Sequence, residues 1–247
     1  MKLYKKKISI LMPAYNEGDR IFDNLIKAWH TFKKFRFPFE ILVIDDGSID
    51  NSIDEIKRAS SLHCEIKIIE NKINMGKGFA LKNGFLNASG DIIVFLDSDL
   101  EIAPFQVGNL LKAMRDNASE IAIGSKRHKE SNLVYPFSRK ILSTGYYFII
   151  KLLFSLPVKD TQSGIKAFRR DVLDEIFPKI LCKKYAFDVE ILANAVRKGY
   201  KIAEVPITIV YSRNNNIGRI RIKDIIDIWI DTLAIWYRMK LAKYYDK

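Results

Sequence analysis

Residues 91–99 of the chain, DIIVFLDSD, place an unbroken apolar run directly before two carboxylates. Such a run, preceded by Gly90 and followed by polar residues, is typical of a strand buried inside a parallel sheet. Ligands of open α/β sheets bind at the carboxyl ends of the strands. Asp97 and Asp99 are therefore candidate ligands for Mg²⁺ or Mn²⁺ beside a diphosphate, because these ions prefer carboxylate and phosphate oxygens. The alternative is that both residues only cap a helix that begins near Pro104.

The composition is that of a globular protein with an excess of positive charge. The chain has 247 residues, 48% of them hydrophobic, which allows one large α/β domain or a domain with an appendage. The formal net charge of +12 makes nucleic acid, an anionic membrane surface and anionic small molecules candidate partners. We do not expect nucleic acid to be a partner, because the sequence contains no zinc knuckle, helix-turn-helix spacing or RNA-binding aromatic motif. We also expect no signal peptide, and no uncharged apolar run reaches the ~18 residues that would span a bilayer.

Strands and helices alternate along the first half of the chain. The predicted strands are 8–12, 40–45, 65–69, 92–97 and 120–124, and the helices that follow the first four end near residues 33, 59, 87 and 115. This alternation predicts βαβ crossovers and a mainly parallel, twisted sheet flanked by helices, which is an α/β fold.

Polar residues follow several of these strands. Tyr15 is suited to stacking on a base, and Glu17 or Asp46 to accepting hydrogen bonds from a base or ribose. The turn at residues 76–78 can bring backbone N–H groups and one ammonium close to an anion. The alternatives are a core-edge aromatic, a simple turn and a helix-entry glycine. Because the carboxyl ends of parallel strands share one edge, the residues together favour nucleotide binding there.

Four motifs resemble, in order and spacing, the family 2 glycosyltransferases, which have the Rossmann-like GT-A fold that binds nucleotide sugars. They are MPAYNE at 12–17, VIDDGS at 43–48, NMGKG at 74–78 and DSD at 97–99. The resemblance implies nucleotide-sugar contacts from Pro13, Ala14, Tyr15, Glu17, Asp46, Gly47, Asn74, Gly76, Lys77, Asp97 and Ser98. It implies a Mg²⁺ or Mn²⁺ site formed by Asp97, Asp99 and Glu101.

Three further segments resemble one branch of that family, the dolichyl- and polyprenyl-phosphate sugar synthases. They are DTQSGIKAFRR at 160–170, YAFDVEIL at 185–192 and EVP at 204–206, and they look more like the glucosyl than the mannosyl enzymes. The resemblance implies that Asp188 or Glu190 occupies the position of the base in related enzymes with hydroxyl acceptors. We assign Asp188 a positioning or weak base role, with a helix N-cap as the alternative.

A lipid-phosphate acceptor requires cationic side chains beside an apolar surface. The element Gly124-Ser125-Lys126-Arg127 carries Lys126 where the branch usually has Arg, which leaves open whether Lys126 or Arg127 contacts the phosphate. The candidate phosphate-binding residues are Lys126, Arg127, Arg139, Arg213 and Arg219.

Two apolar segments with basic flanks, 135–156 and 222–239, suit helices that lie in a membrane interface. The alternatives are a core helix with a solvated basic end for the first, and a dimer interface, packing on the domain or a membrane-protein partner for the second. We therefore expect a GT-A domain at 1–216 and an amphipathic helix at 217–247. Within the domain, residues 1–125 form the nucleotide-sugar half and 126–216 the acceptor half.

Together the residues and the resemblance predict a peripheral enzyme of the cytoplasmic membrane face. It transfers a hexose with inversion from UDP-glucose or GDP-mannose to a dolichyl or polyprenyl phosphate, with Asp97, Asp99 and Asp188 as catalytic residues. One alternative is a family 2 transferase acting on a glycan or protein hydroxyl. Another is a non-catalytic partner of a membrane protein, against which the carboxylates at the strand ends argue.

Overall fold

A computed structural model describes residues 6–133, 137–210 and 222–246, with the side chains of 137–143 and 222–225 excepted. The strands are β1 Ile8–Ala14, β2 Phe39–Asp45, β3 Ile66–Glu70, β4 Ile92–Leu96, β5 Ile121–Ser125, β6 Asn132–Leu133, β7 Ile165–Arg169, β8 Ile202–Pro206 and β9 Thr208–Ile209. The α-helices are α1 Ile21–Lys34, α2 Ser52–Leu62, α3 Lys77–Asn87, α4 Val107–Asp116, α5 Phe137–Phe154, α6 Arg170–Ile176, α7 Phe187–Arg197 and α8 Ile222–Lys240. Short 3-10 turns lie at Pro104–Gln106, Phe177–Lys179 and Tyr244–Asp246.

The described residues form a seven-stranded sheet in the order β3-β2-β1-β4-β7-β5-β8. All neighbouring strands are parallel except that β7 runs antiparallel to both β4 and β5. The chain builds outward from β1 through β2 to β3 and then returns to place β4 on the other side of β1. The carboxyl ends of β1 and β4 therefore flank a topological switch point, where such sheets bind ligands.

Each face of the sheet is covered by helices. Helix α1 packs its buried residues, Ile21, Leu25, Ala28 and Phe32, on one face with α2 and α4, as their helical spacing predicts. Residues of α3, α5, α6, α7 and α8 join the cluster on the other face. The predicted mainly parallel α/β fold is confirmed.

The pattern from Glu17 onward predicts a helix, but α1 begins at Ile21. The backbone N–H groups of Glu17 and Gly18 donate to Ser52 Oγ and Asp50 Oδ2 in the loop before it. The alternative for Asp97 and Asp99 was that both only cap a helix that begins near Pro104. No side chain caps that 3-10 turn, so the capping alternative is wrong.

Candidate active site

The loops after β1 and β2 are hydrogen-bonded to each other. Ser48 Oγ accepts from the backbone N–H of Asn16 at 3.0 Å, and Ser52 Oγ accepts from that of Glu17 at 2.8 Å. Pro13 and Ala14 end β1, Glu17 is buried, and Tyr15 remains 41% exposed at the rim. The loops thus hold these predicted nucleotide contacts on one rigid edge.

Asp46 organises the next loop. Its Oδ1 accepts from Asn71 Nδ2 at 2.8 Å and from the Met75 backbone N–H at 3.1 Å, and its Oδ2 accepts from the Gly76 N–H at 2.7 Å. Gly76 has a φ of 97°, a conformation in which a side chain would be strained. Gly47 and the exposed Asn74 lie in the same loops. We call residues 15–20, 46–51 and 71–76 the strand-end loops.

Lys77 begins α3 directly after this turn. Its Nζ lies 2.6 Å from Asp97 Oδ1. Burial alone would lower the pKa of Lys77, but the carboxylates of Asp97, Asp188 and Asp99 raise it above its usual value. Lys77 therefore carries a permanent positive charge at the carboxyl end of β4, where a diphosphate would need one.

Asp97 and Asp99 line one cleft of about 140 Å³ with Glu101 and Lys126. The Asp97 backbone N–H donates to the carbonyl of Gly164 at 3.1 Å. A Cβ at Gly164 would lie 2.2 Å from Asp97 Oδ2, so the glycine permits this close approach. Ser98 is buried, and its carbonyl accepts from Asn24 Nδ2 at 2.8 Å. The chain thus holds Asp97 from both sides.

A divalent ion fits this pair of carboxylates when the diphosphate completes its coordination. Among the described residues, no three His, Cys, Asp or Glu side chains converge closely enough to hold a metal ion by themselves. Mg²⁺ commonly takes one or two protein carboxylates together with substrate phosphates. Asp97 and Asp99 would hold the ion in that way, and Glu101 remains a predicted ligand on the cleft wall.

Lys126 and Arg127 diverge at the end of β5. Lys126 lines the cleft, its Nζ 3.7 Å from Asp160 Oδ2 and 3.4 Å from the Gln162 carbonyl. Arg127 turns toward α5 and stacks over the ring of Tyr147 at 4.7 Å. Of the two, Lys126 therefore faces Asp97. The Arg139 side chain, Arg213 and Arg219 lie outside the described residues.

Asp188 lies in the first turn of α7 and not at its N-cap, which is Ala186. Its Oδ1 pairs with Nζ of Lys166 on β7 at 2.9 Å, and both side chains are buried. Lys166 was not singled out from the sequence. A single lysine inside the apolar stretch Ile165–Phe168 is the signal that would have found it.

Glu190, two residues further along α7, is fully buried and faces the C-terminal helix. Its Oε2 accepts from the backbone N–H groups of Leu181 and Cys182, and its Oε1 from Arg238 Nη2 at 3.1 Å and from the Tyr245 hydroxyl. These contacts fasten α8 and the C-terminal turn to α7. The three pairs Lys126–Asp160, Lys166–Asp188 and Glu190–Arg238 are called the ion-pair layer below.

Helices α5 and α8 cover the same core cluster and leave apolar stripes exposed. Ile150 and Phe154 of α5 and Ile235 of α8 are buried in that cluster, and Tyr146 bonds to Thr232 between the helices at 2.8 Å. The exposed apolar side chains are Phe148 and Leu152 on α5, Ile226, Ile230, Leu233 and Tyr237 on α8, and Leu241 after it. Among the described residues, no helix combines the length and apolar composition needed to cross a membrane.

Comparison with protein families gives one match over most of the fold. The model described as "Glycosyl transferase family 2" matches residues 9–177, from β1 to the turn after α6. The match includes the strand-end loops, Asp97, Asp99 and Lys166.

Among curated proteins, the chain is similar to dolichyl-phosphate beta-glucosyltransferases. The enzyme of Dictyostelium discoideum is 33% identical over 90% of this chain and 76% of its own length. A Trichomonas vaginalis enzyme of the same name is 30% identical over 97% of this chain and 76% of its own length. The Saccharomyces cerevisiae enzyme is 33% identical over 81% and 66%.

Solved structures share the fold at lower identity. Glucosyl-3-phosphoglycerate synthase of Mycobacterium tuberculosis, in complex with Mn²⁺, UDP-glucose and phosphoglyceric acid, superposes with a TM-score of 0.69 at 19% identity, covering 94% of this chain and 79% of that one. A mannosyltransferase of Pyrobaculum calidifontis with GDP-mannose and Mn²⁺ gives 0.65 at 20% identity, covering 94% and 65%.

Proposed function

The chain belongs to glycosyl transferase family 2 and is a glycosyltransferase, and from that premise we propose that it transfers a hexose from a nucleotide sugar to a dolichyl or polyprenyl phosphate. The names of the similar curated enzymes support a lipid-phosphate acceptor and favour glucose as the sugar. UDP-glucose is accordingly the first donor to test and GDP-mannose the second.

The observation that carries the proposal is that Asp97 adjoins two cations at the switch point. It pairs with Lys77 and lines one cleft together with Lys126. Two sites for anions thus adjoin, one for the leaving diphosphate and one for an acceptor phosphate. The nucleoside would lie on the strand-end loops, in contact with Tyr15 and Glu17.

The reaction is a single in-line displacement. A nonbridging oxygen of the lipid phosphate attacks the anomeric carbon, the bond from that carbon to the β-phosphate oxygen breaks, and the nucleoside diphosphate leaves with the bonding electrons. Lys77 neutralises charge that develops on the leaving group. A divalent ion, Mg²⁺ or Mn²⁺, held by Asp97 and Asp99 supplies Lewis acidity to the diphosphate when bound.

The acceptor phosphate needs positioning more than activation. A phosphate is ionised near neutral pH, so it requires no strong general base. Lys126 is the described cation in the cleft that is suited to hold it, and Arg127, Arg139, Arg213 and Arg219 are further proposed contacts. Asp188, already paired with Lys166, orients the site and does not remove a proton in this scheme.

The lipid acceptor implies contact with a membrane surface, which the proposal assigns to the apolar stripes of α5 and α8 at the cytoplasmic face. Apolar side chains flanked by basic residues are suited to the interface between lipid headgroups and acyl chains. Flotation with vesicles of neutral and anionic phospholipid tests this. The double variant Ile230→Gln/Leu233→Gln should lose most of the bound fraction, whereas Leu62→Gln/Leu86→Gln, at exposed positions of α2 and α3, should keep it.

The reaction is tested by offering labelled UDP-glucose and GDP-mannose in parallel with a short polyprenyl phosphate and Mg²⁺ or Mn²⁺. Chloroform-soluble label from one donor, lost with EDTA, is the expected result. Nucleotide-sugar binding without transfer to the lipid would contradict the proposed acceptor and favour a glycan or protein hydroxyl. Absence of nucleotide-sugar binding would contradict the assignment of the strand-end loops.

A further inference from the structure

Lys166 is a lysine in the middle of the sheet. Strand β7 lies between β4 and β5, where Lys166 is opposite Phe95 on one side and Ile123 on the other. Its side chain is 2% exposed. Burying an ammonium group costs free energy unless the group is paired. Lys166 should therefore have a counter-charge and a role at this position.

The Lys166 ammonium has two partners. It lies 2.9 Å from Asp188 Oδ1 on α7, and it donates to the backbone carbonyl of Ser163 at 2.6 Å. One cation thus joins the first turn of α7 to the segment that leads into β7. Burial lowers the pKa of Lys166, against the opposing effect of Asp188.

The same segment supports Asp97. The Gly164 carbonyl accepts from the Asp97 backbone N–H, and the absent side chain of Gly164 leaves room for the Asp97 carboxylate. Residues 163–166 therefore contact Asp97 through Gly164 and Asp188 through Lys166. One short segment thus links the two carboxylates.

Other charged and titratable groups face this pair from neighbouring elements. Lys77 on α3 is influenced by both Asp97 and Asp188. Asp160 lies close enough to Lys166 to favour its charged form. From α5, Tyr146 faces Asp188, and burial raises the pKa of Tyr146 to about 12, so it stays neutral. Lys166 is the cation in direct contact with Asp188 among the described residues.

We propose that Lys166 is a positioning residue of the transfer reaction, which acts through Asp188 by holding its carboxylate in fixed register with Asp97. The inference rests on the proposed function for the reaction that it serves. Lys166 itself need not touch either substrate. Its removal should lower kcat and leave the affinity for the nucleotide sugar nearly unchanged, because the strand-end loops do not depend on it.

A double-mutant cycle tests this with Lys166→Met, Asp188→Asn and the combined variant. Each single variant should lower kcat about 10- to 100-fold, with Kd for UDP-glucose changed less than threefold. The combined variant should be no worse than the poorer single one, because both changes remove the same unit. Lys67→Met removes another strand lysine, paired with Glu40 at the far end of the sheet, and should stay within twofold of the unchanged enzyme.

The split between kcat and Kd separates positioning from a merely structural role. Lys166→Met removes the counter-charge of the Asp188 carboxylate, so kcat should fall while Kd for UDP-glucose is kept, and in the Asp188→Asn background Lys166→Met should lower kcat no further. Multiplying effects in the combined variant, or equal changes in kcat and Kd, would overturn the inference. If Lys166→Met does not fold, the combined variant, which buries no unpaired charge, still compares Lys166 with the Asp188→Asn background.

The cycle is run on two reactions so that its outcome does not depend on the acceptor. One is transfer to polyprenyl phosphate, and the other is slow release of UDP to water. Non-additivity in both supports the role of Lys166. Failure of lipid transfer by the unchanged enzyme, with non-additive UDP release, would count against the proposed acceptor and still support the inference about Lys166.

Discussion

The strand-end loops and the ion-pair layer are held together differently. The loops are closed by hydrogen bonds to backbone N–H groups, as between Asp46 and Gly76 or Ser52 and Glu17. The ion-pair layer is closed by charged side chains from separate elements, such as Lys166 with Asp188 and Glu190 with Arg238. Hydrogen bonds to the backbone hold the loops in one conformation. In the ion-pair layer, each buried charged side chain depends on its partner.

This difference teaches where mutations will be tolerated. In the loops, each contact has neighbours that maintain the same backbone path. In the ion-pair layer, removal of one partner leaves the other charge buried, which costs more than the pair contributes. Substitutions beside the strand-end loops should therefore lower activity. Substitutions in the ion-pair layer should lower both activity and stability.

The largest effect is expected at Asp97, which contacts both Lys77 and Gly164. Asp97→Asn should lower transfer at least ~1,000-fold, because it removes a charge from both the metal site and the pair with Lys77. Thermal unfolding should shift by less than about 2 °C, since this strand-end carboxylate is partly exposed. Asp116→Asn, on the surface at the end of α4, is the control and should alter neither. A large loss of stability in Asp97→Asn would break the comparison.

Lys77→Met should lower kcat about 100-fold. The ammonium that faces the diphosphate is lost, while the turn that presents it stays bonded to Asp46. Steady-state kinetics with saturating donor measure the effect, with the exposed Lys112→Met on α4 as control. An equal fall in kcat for both variants would mean that the loss reflects overall charge and not this site.

Arg238→Met probes the ion-pair layer through stability. It leaves Glu190 buried without its cation, which should cost about 3 kcal/mol of unfolding free energy and lower the melting temperature by about 6–12 °C. Calorimetry at pH 7 measures the change. Lys57→Met breaks an exposed pair with Glu70 and should cost less than about 0.5 kcal/mol. If both variants cost the same, the distinction between the two regions fails.

A smaller effect is expected at Glu40, near the start of β2 and so at the opposite edge of the sheet from the strand-end loops. Burial would raise the pKa of Glu40, but hydrogen bonds from Lys67, Ser9 and Ser89 hold it well below its usual value. Because the folded pKa is lowered, the stabilisation is complete above about pH 4.5 and is lost as the pH falls further. Melting temperatures between pH 7 and 3 should fall less steeply in Glu40→Gln.

Glu65 is a second carboxylate with a lowered pKa, and it serves as a comparison for Glu40. Hydrogen bonds from Trp29 and Lys33 lower the pKa of Glu65 to about 2. Its side chain is more exposed than that of Glu40, so salt screens its interactions more strongly. Glu65→Gln should flatten the acid dependence less than Glu40→Gln, and the reverse order would contradict the role given to burial.

The two regions also differ in how far the sequence predicts them. The loops are short motifs attached to strands with strong apolar runs, so DIIVFLDSD and VIDDGS indicate both the fold and the edge where ligands bind. The ion-pair layer joins residues far apart in the chain, as in Lys126 with Asp160, 34 residues away, and Arg238 with Glu190, 48 residues away. The residues around each charged side chain in the sequence do not indicate which opposite charge it will pair with. For the same reason the sequence did not predict that β7 is antiparallel between β4 and β5.

The central position of β7 has a consequence for synthesis of the chain on the ribosome. Strands β1 to β4 emerge first, but β4 has no partner on one side until residues 165–169 have been made. Strand β5 emerges earlier and waits for β7 on one side and β8 on the other. The nascent chain therefore exposes one apolar edge of β4 and both edges of β5, which are prone to pair with other chains. A fragment ending at residue 125 should aggregate, and chaperones should bind the growing chain most strongly just before β7 appears.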